Sequence, residues 1–116
     1  MDFVVENEKD YKIIRLKGRN IYLEYNNQSV EKFYDVLLNV AFQDPVDKSI
    51  AIDFSNVKLI DSTGISTLIK FYKTIKGKKI EVNIFGCNPY IFSVLKLLKL
   101  DTFFNISKET SNKDST

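Results

Sequence analysis

Histidine is absent from the chain and cysteine occurs once. The first absence removes the commonest general base and metal ligand. The second excludes an internal disulfide. Long apolar runs are also missing. No stretch reaches the length of a membrane span, and Met1 to Asp10 has no basic segment of the kind that opens a secretory signal. Neither sign of charge dominates: a formal net charge of +2 is too small to argue for nucleic acid or an anionic membrane as partner. No P-loop, dinucleotide fingerprint or metal-ligand cluster occurs. The expectation is a cytoplasmic, non-enzymatic protein with no catalytic residues, cofactor or metal.

What is present suits one globular domain. A chain of 116 residues, 44% of them hydrophobic, can bury roughly two thirds of its unfolded surface. Phe3 to Glu6 reads as a short strand, and Asn7 to Asp10 as a turn. Tyr11, Ile13 and Leu16 mark a second strand ended by Gly18, which should pair antiparallel with the first. Arg19 to Asn27 has neither a helical nor a strand period. Ser29 is placed to cap a helix whose apolar face is Val30, Phe33, Val36, Leu37, Val40 and Ala41, with Asp44-Pro45 as its break.

Ile50, Ile52 and Phe54 follow as a central strand. A second helix carries Ile65, Leu68, Ile69, Tyr72 and Ile75 at helical spacing and runs to about Lys76, with Gly77 placed to end it. Ile80, Val82 and Ile84 form the next strand, and Gly86-Cys87-Asn88 turns the chain. Pro89 suits the first turn of a third helix with a stripe of Ile91, Val94, Leu95 and Leu98. Phe103, Phe104 and Ile106 add a last edge strand or pack on the core. The domain is expected to span residues 1–106, and the polar residues 107–116 to form a disordered tail. The order β-β-α-β-α-β-α predicts an α/β fold: a mixed sheet, antiparallel at its start and parallel in its second half, with helices packed against it. In such sheets function sits at the carboxyl ends of the strands. Asn56 to Ser62 and Gly86 to Asn88 should emerge there and form one surface.

Between the central strand and the second helix lies Asp61-Ser62-Thr63-Gly64. Two readings fit these residues. Asp61 and Ser62 can simply cap the helix. Alternatively Ser62 is placed to be phosphorylated, because a helix start offers unpaired N–H groups that can hold a phosphate. Ser62, Ser66, Lys70 and Lys73 then fall on one exposed stripe. This stripe, with Asn56, Lys58, Asp61, Thr63 and Gly64, is the candidate partner surface. Cys87 precedes a helix start, but the following residues hold no arginine to clamp a phosphate, so a structural role is expected. A receiver of the response-regulator type would need an acidic cluster after its first strand. Gly18-Arg19-Asn20 supplies none.

The run Ile50-Ala51-Ile52-Asp53-Phe54-Ser55-Asn56-Val57, followed by Ile60-Asp61-Ser62-Thr63-Gly64-Ile65, resembles the STAS domain of bacterial anti-sigma factor antagonists. So do Ile84-Phe85-Gly86-Cys87-Asn88-Pro89 and Leu97-Leu98-Lys99-Leu100-Asp101-Thr102-Phe103-Phe104. The resemblance covers nearly all of the chain before the tail. It implies a STAS-like domain over residues 1–106 and a phosphoprotein of transcription regulation working by partner switching. Ser62 holds the position of the hydroxyl that an anti-sigma factor with serine kinase activity phosphorylates and a serine phosphatase restores. The unphosphorylated form would bind the anti-sigma factor and release a sigma factor. One departure is Gly18-Arg19-Asn20-Ile21, where many relatives read Gly-Glu-Leu-Asp. The alternative implied by the family is an unmodified interaction module in a transport or stress-signalling scaffold.

Overall fold

The computed structural model describes residues 2–25, 29–43 and 49–109. Strands β1 (Asp2–Asn7) and β2 (Tyr11–Lys17) form the expected antiparallel pair, with Phe3 opposite Leu16 and Val5 opposite Ile14. A three-residue strand β3 (Ile21–Leu23) comes next, then helix α1 (Ser29–Gln43) and the central strand β4 (Ser49–Asp53). Strand β5 (Val57–Ile60), helix α2 (Ser62–Ile75), strand β6 (Val82–Phe85), helix α3 (Pro89–Leu97), a single 3-10 turn (Leu100–Thr102) and strand β7 (Asn105–Ile106) complete the order. The main sheet runs β1-β2-β4-β6-β7 and is parallel from β2 onward. This is the expected mixed sheet.

Period-two alternation sorts its side chains. Ile14, Leu16, Ile50, Ile52, Val82 and Ile84 point into one core with Phe33 and Leu37 of α1, Leu68 and Phe71 of α2, and Ile91 and Leu95 of α3. All three helices therefore bury their stripes against one face of the sheet. The opposite face carries the smaller cluster Ile13, Ala51 and Phe85, with Tyr11 against it. On that face Arg15 lies across from Asp53 in the β2–β4 register, and its guanidinium donates to Asp53 (2.8 Å) and to Glu6 (2.9 Å).

Several local expectations are corrected. The segment after Gly18 contains β3, which pairs parallel with β5 in a separate two-stranded sheet. Ile21 and Leu23 face inward from it, so tertiary burial fixes a strand too short to show a period. Gly77 does not end α2 through a left-handed turn, since Gly18 and Gly86 are the glycines with positive φ; the helix stops at Lys76 in ordinary helical geometry. Strand β6 begins at Val82 rather than Ile80. Leu98 is the C-cap of α3 and half-exposed, outside the buried stripe.

Phe104 packs in the core while Phe103 stacks on Tyr72, with ring centroids 4.3 Å apart, and Ile106 lies in the edge strand β7. The side chain of Ser29 and the pair Asp44-Pro45 lie outside the described residues, as do residues 110–116 of the expected tail. Ser107 continues the pairing begun by β7: its N–H donates to Ile84 (2.9 Å) and its carbonyl accepts from Cys87 (3.2 Å).

Candidate functional site

The site forms where β5 hands over to α2. Asp61 is the N-cap of the helix, in extended backbone geometry, and Ser62 is its first residue. One carboxylate oxygen, Oδ1, accepts the N–H groups of Thr63 (2.9 Å) and Gly64 (3.1 Å). The other, Oδ2, accepts the N–H of Tyr25 at 2.9 Å, from the segment just after β3. The backbone N–H of Asp61 donates in turn to the Leu23 carbonyl (3.1 Å). Asp61 thus joins the small sheet to the helix start. Its partial burial works to raise the carboxyl pKa, but the N–H groups of Tyr25, Gly64, Thr63 and Asp61 itself outweigh that and hold it below the ordinary carboxylate value.

Gly64 is required by close approach. A Cβ there would stand 2.5 Å from the Leu23 carbonyl oxygen and 2.6 Å from Ile60 Cγ1. The first turn of α2 can lie this close to β3 only because the residue has no side chain. Gly64 is consequently buried against Leu23 and Ile60.

Ser62 is exposed, and among the described residues nothing hydrogen-bonds its hydroxyl. Ser66, Lys70 and Lys73 are exposed on the same face of α2, as the helical spacing predicts. Lys58 is exposed on β5, and Thr63 is half-buried beside the cap. Asn56 is exposed but already engaged: its amide donates to the Leu16 carbonyl (3.3 Å) and its carbonyl accepts from Ile21 (2.9 Å). The two segments expected to form one surface do meet, but the first is strand β5 rather than a loop. Asn88 caps α3 by accepting from Ile91 (2.7 Å), and its amide donates to the Val57 carbonyl (3.1 Å).

One expectation about the helix start needs correction. The N–H groups of Thr63 and Gly64 are filled by Asp61 Oδ1, and that of Ile65 by the Asp61 carbonyl (3.0 Å). These donors are not open to cradle a phosphate on Ser62. The residues that sequence reading left out are Tyr22, Tyr25 and Leu59. Tyr22 lies opposite Leu59 across the small sheet, and both are partly exposed. For Tyr22 and Tyr25 the signal was the apolar content of Ile21 to Tyr25, which carries no period.

Cys87 is buried, and burial alone pushes its thiol up to about 12, so it is no nucleophile at neutral pH. Among the described residues no group of three or more His, Cys, Asp or Glu side chains can hold a metal ion, and no helix is long and apolar enough to cross a membrane.

The fold has counterparts. A STAS (anti-sigma factor antagonist) domain protein from Planctomyces limnophilus superposes with a TM-score of 0.77 at 20% identity, over 96% of this chain and 92% of that one. The Bacillus cell-fate determinant SpoIIAA, solved in its phosphorylated form, gives 0.64 at 18% identity over 90% of each chain. A sulfate transporter family protein from Wolinella succinogenes gives 0.64 at 14% identity, over 85% of this chain and 77% of that one. No curated protein matches the sequence. The family model that does match is that of the STAS domain, over residues 3–112, and the chain belongs to that family.

Proposed function

We propose that this protein is an anti-sigma factor antagonist that works by partner switching, with Ser62 as the phosphorylated residue. The observation that carries this reading is a solvent-facing hydroxyl, with no bond among the described residues, on the first residue of α2, directly after a fully engaged aspartate. A structural relative with the same fold has been solved in a phosphorylated form, which supports covalent modification as a way such a fold is used. In this reading the unphosphorylated protein docks on an anti-sigma factor with serine kinase activity and frees a sigma factor. Phosphate on Ser62 ends the docking, and a serine phosphatase restores it. Asn56, Lys58, Thr63, Ser66, Lys70 and Lys73 surround or extend the docking face.

The filled cap explains how phosphate acts as a switch. A phosphoserine carries close to two negative charges at neutral pH. Here it stands beside the ionised Asp61, which already holds the N–H groups of Thr63 and Gly64, so much of its charge is left to water. Docking must strip that water away. Removing solvent from an uncompensated ion costs several kcal/mol, and about 3 kcal/mol already lowers affinity more than a hundredfold. The fold itself need not change.

Titration calorimetry against the anti-sigma kinase tests the reading. Ser62→Ala should bind like the unmodified protein and Ser62→Asp at least tenfold more weakly. Equal affinities would remove the switch. A second reading is a STAS interaction module that is never modified, held in a transport or stress-signalling assembly. Arg19, where many antagonists carry an acidic residue, and the shared fold of a sulfate transporter family protein favour it. In that case neither substitution would alter assembly.

A further inference from the structure

The chain is nearly balanced in charge, with 17 basic and 15 acidic side chains, yet the balance fails along α2. From Ser62 to Ile80 no aspartate or glutamate occurs, while Lys70, Lys73, Lys76, Lys78 and Lys79 do. Lys70, Lys73, Lys76 and Lys79 are exposed, and none of the five lysines forms an ion pair with a described residue. Two of them are held in place by α1: the Lys70 ammonium sits 4.7 Å from the centre of the Tyr34 ring, and that of Lys78 lies 4.6 Å from the Phe42 ring. The Tyr34 hydroxyl also meets Thr74 Oγ1 at 3.5 Å, so the seam between the helices carries the lysines on a fixed support.

Basic residues at a helix C-terminus offset its dipole, and one or two would do so. Five with no ion pair among the described residues exceed that need and leave a local field. From this we infer that the second half of α2 and the turn after it form a cationic docking surface for an acidic patch on a partner protein. Protein is favoured over nucleic acid because the net charge of the whole chain is only +2 and the patch continues the face of α2 that carries Ser62. The inference takes the partner-switching reading only for the identity of that partner, to which it adds a chemistry.

Ser62 and Lys70 are eight residues apart on one helix, about 12 Å along its axis. The screening length at physiological salt is about 8 Å. The lysines are thus largely outside the reach of a phosphate on Ser62. The basic half acts on the rate of encounter, which exposed charges control, and the serine half on how long the complex lasts.

The test is an NMR titration of the full chain with a ten-residue polyglutamate peptide, and in parallel with a 20-base-pair DNA duplex and with phosphatidylserine vesicles. The expected result is shifts confined to the exposed positions from Ser66 to Lys79. Affinity should weaken about tenfold between 50 and 200 mM salt and be lost in the triple variant Lys70→Gln, Lys73→Gln, Lys76→Gln. Neutralising exposed side chains keeps the fold, which the undisturbed core resonances verify. Equal shifts at Lys9, Lys17, Lys96 and Lys108, no shifts at all, or tighter binding to DNA or vesicles at matched charge would overturn the assignment. None of these readouts involves phosphate on Ser62, so this surface and the switch stand or fall separately.

Discussion

The N–H of Tyr25 donates to Asp61 Oδ2 at 2.9 Å, while the other oxygen of the same carboxylate caps α2. A single side chain therefore couples the small β3–β5 sheet to the helix that bears Ser62. Replacing it tests both bonds together. Asp61→Ala should lower stability by about 1–3 kcal/mol, through a lost N-cap and a lost charge-assisted bond. Asp61→Asn keeps one accepting oxygen and should lose less. Urea unfolding followed by circular dichroism measures both.

The same carboxylate predicts a pH dependence. Its pKa is lower in the folded chain than in the unfolded one. Its stabilising contribution is therefore full above the ordinary carboxylate value near 3.9, and is lost as pH falls through the lower folded value. Between pH 6 and pH 3 the Asp61→Asn variant should lose less stability than the parent. Parallel curves would show that Asp61 contributes nothing to acid sensitivity.

Two glycines on the ends of α2 should respond in opposite ways. Gly64→Ala drives a Cβ to 2.5 Å from a backbone oxygen and should cost about 1–3 kcal/mol, the range for overpacking. At Gly77 nothing lies within 4 Å of the added carbon and φ is not positive. Gly77→Ala should be neutral or stabilise by up to about 1 kcal/mol through the unfolded state. Thermal melts of the two variants separate these outcomes.

The pair of carboxylates on Arg15 differ in exposure, 39% for the Glu6 side chain and 14% for that of Asp53. Glu6→Gln removes a surface ion pair and should cost under about 1 kcal/mol. Arg15→Met strips the less exposed carboxylate of its cation and should cost more, about 1–3 kcal/mol. A double-mutant cycle on Arg15 and Asp53 should show larger coupling than one on Arg15 and Glu6.

Much of this molecule was legible in its pattern of apolar residues. The stripes of α1 and α2 and the alternation of β2, β4 and β6 each follow a period long enough to read, and they fix the mixed sheet. Ile21 to Leu23 did not show because three residues carry no period; burial of Ile21 and Leu23 in the core decides their conformation. The helix start was legible as a cap and as a candidate modification site. What stayed hidden was how Asp61 divides its oxygens, because the Tyr25 donor lies 36 residues away in the chain. That division occupies the N–H groups of Thr63 and Gly64, which would change how a phosphate on Ser62 acts. Leu98 was misplaced because helix ends depend on contacts beyond the local sequence.

The most direct test of the central claim is the intact mass of the protein after incubation with ATP and the cognate anti-sigma kinase, with the modified residue located by fragmentation. The account predicts the gain of one phosphate on Ser62 in the parent and none in Ser62→Ala. No gain in the parent, or a phosphate on Thr63 or Ser66 instead, would contradict it.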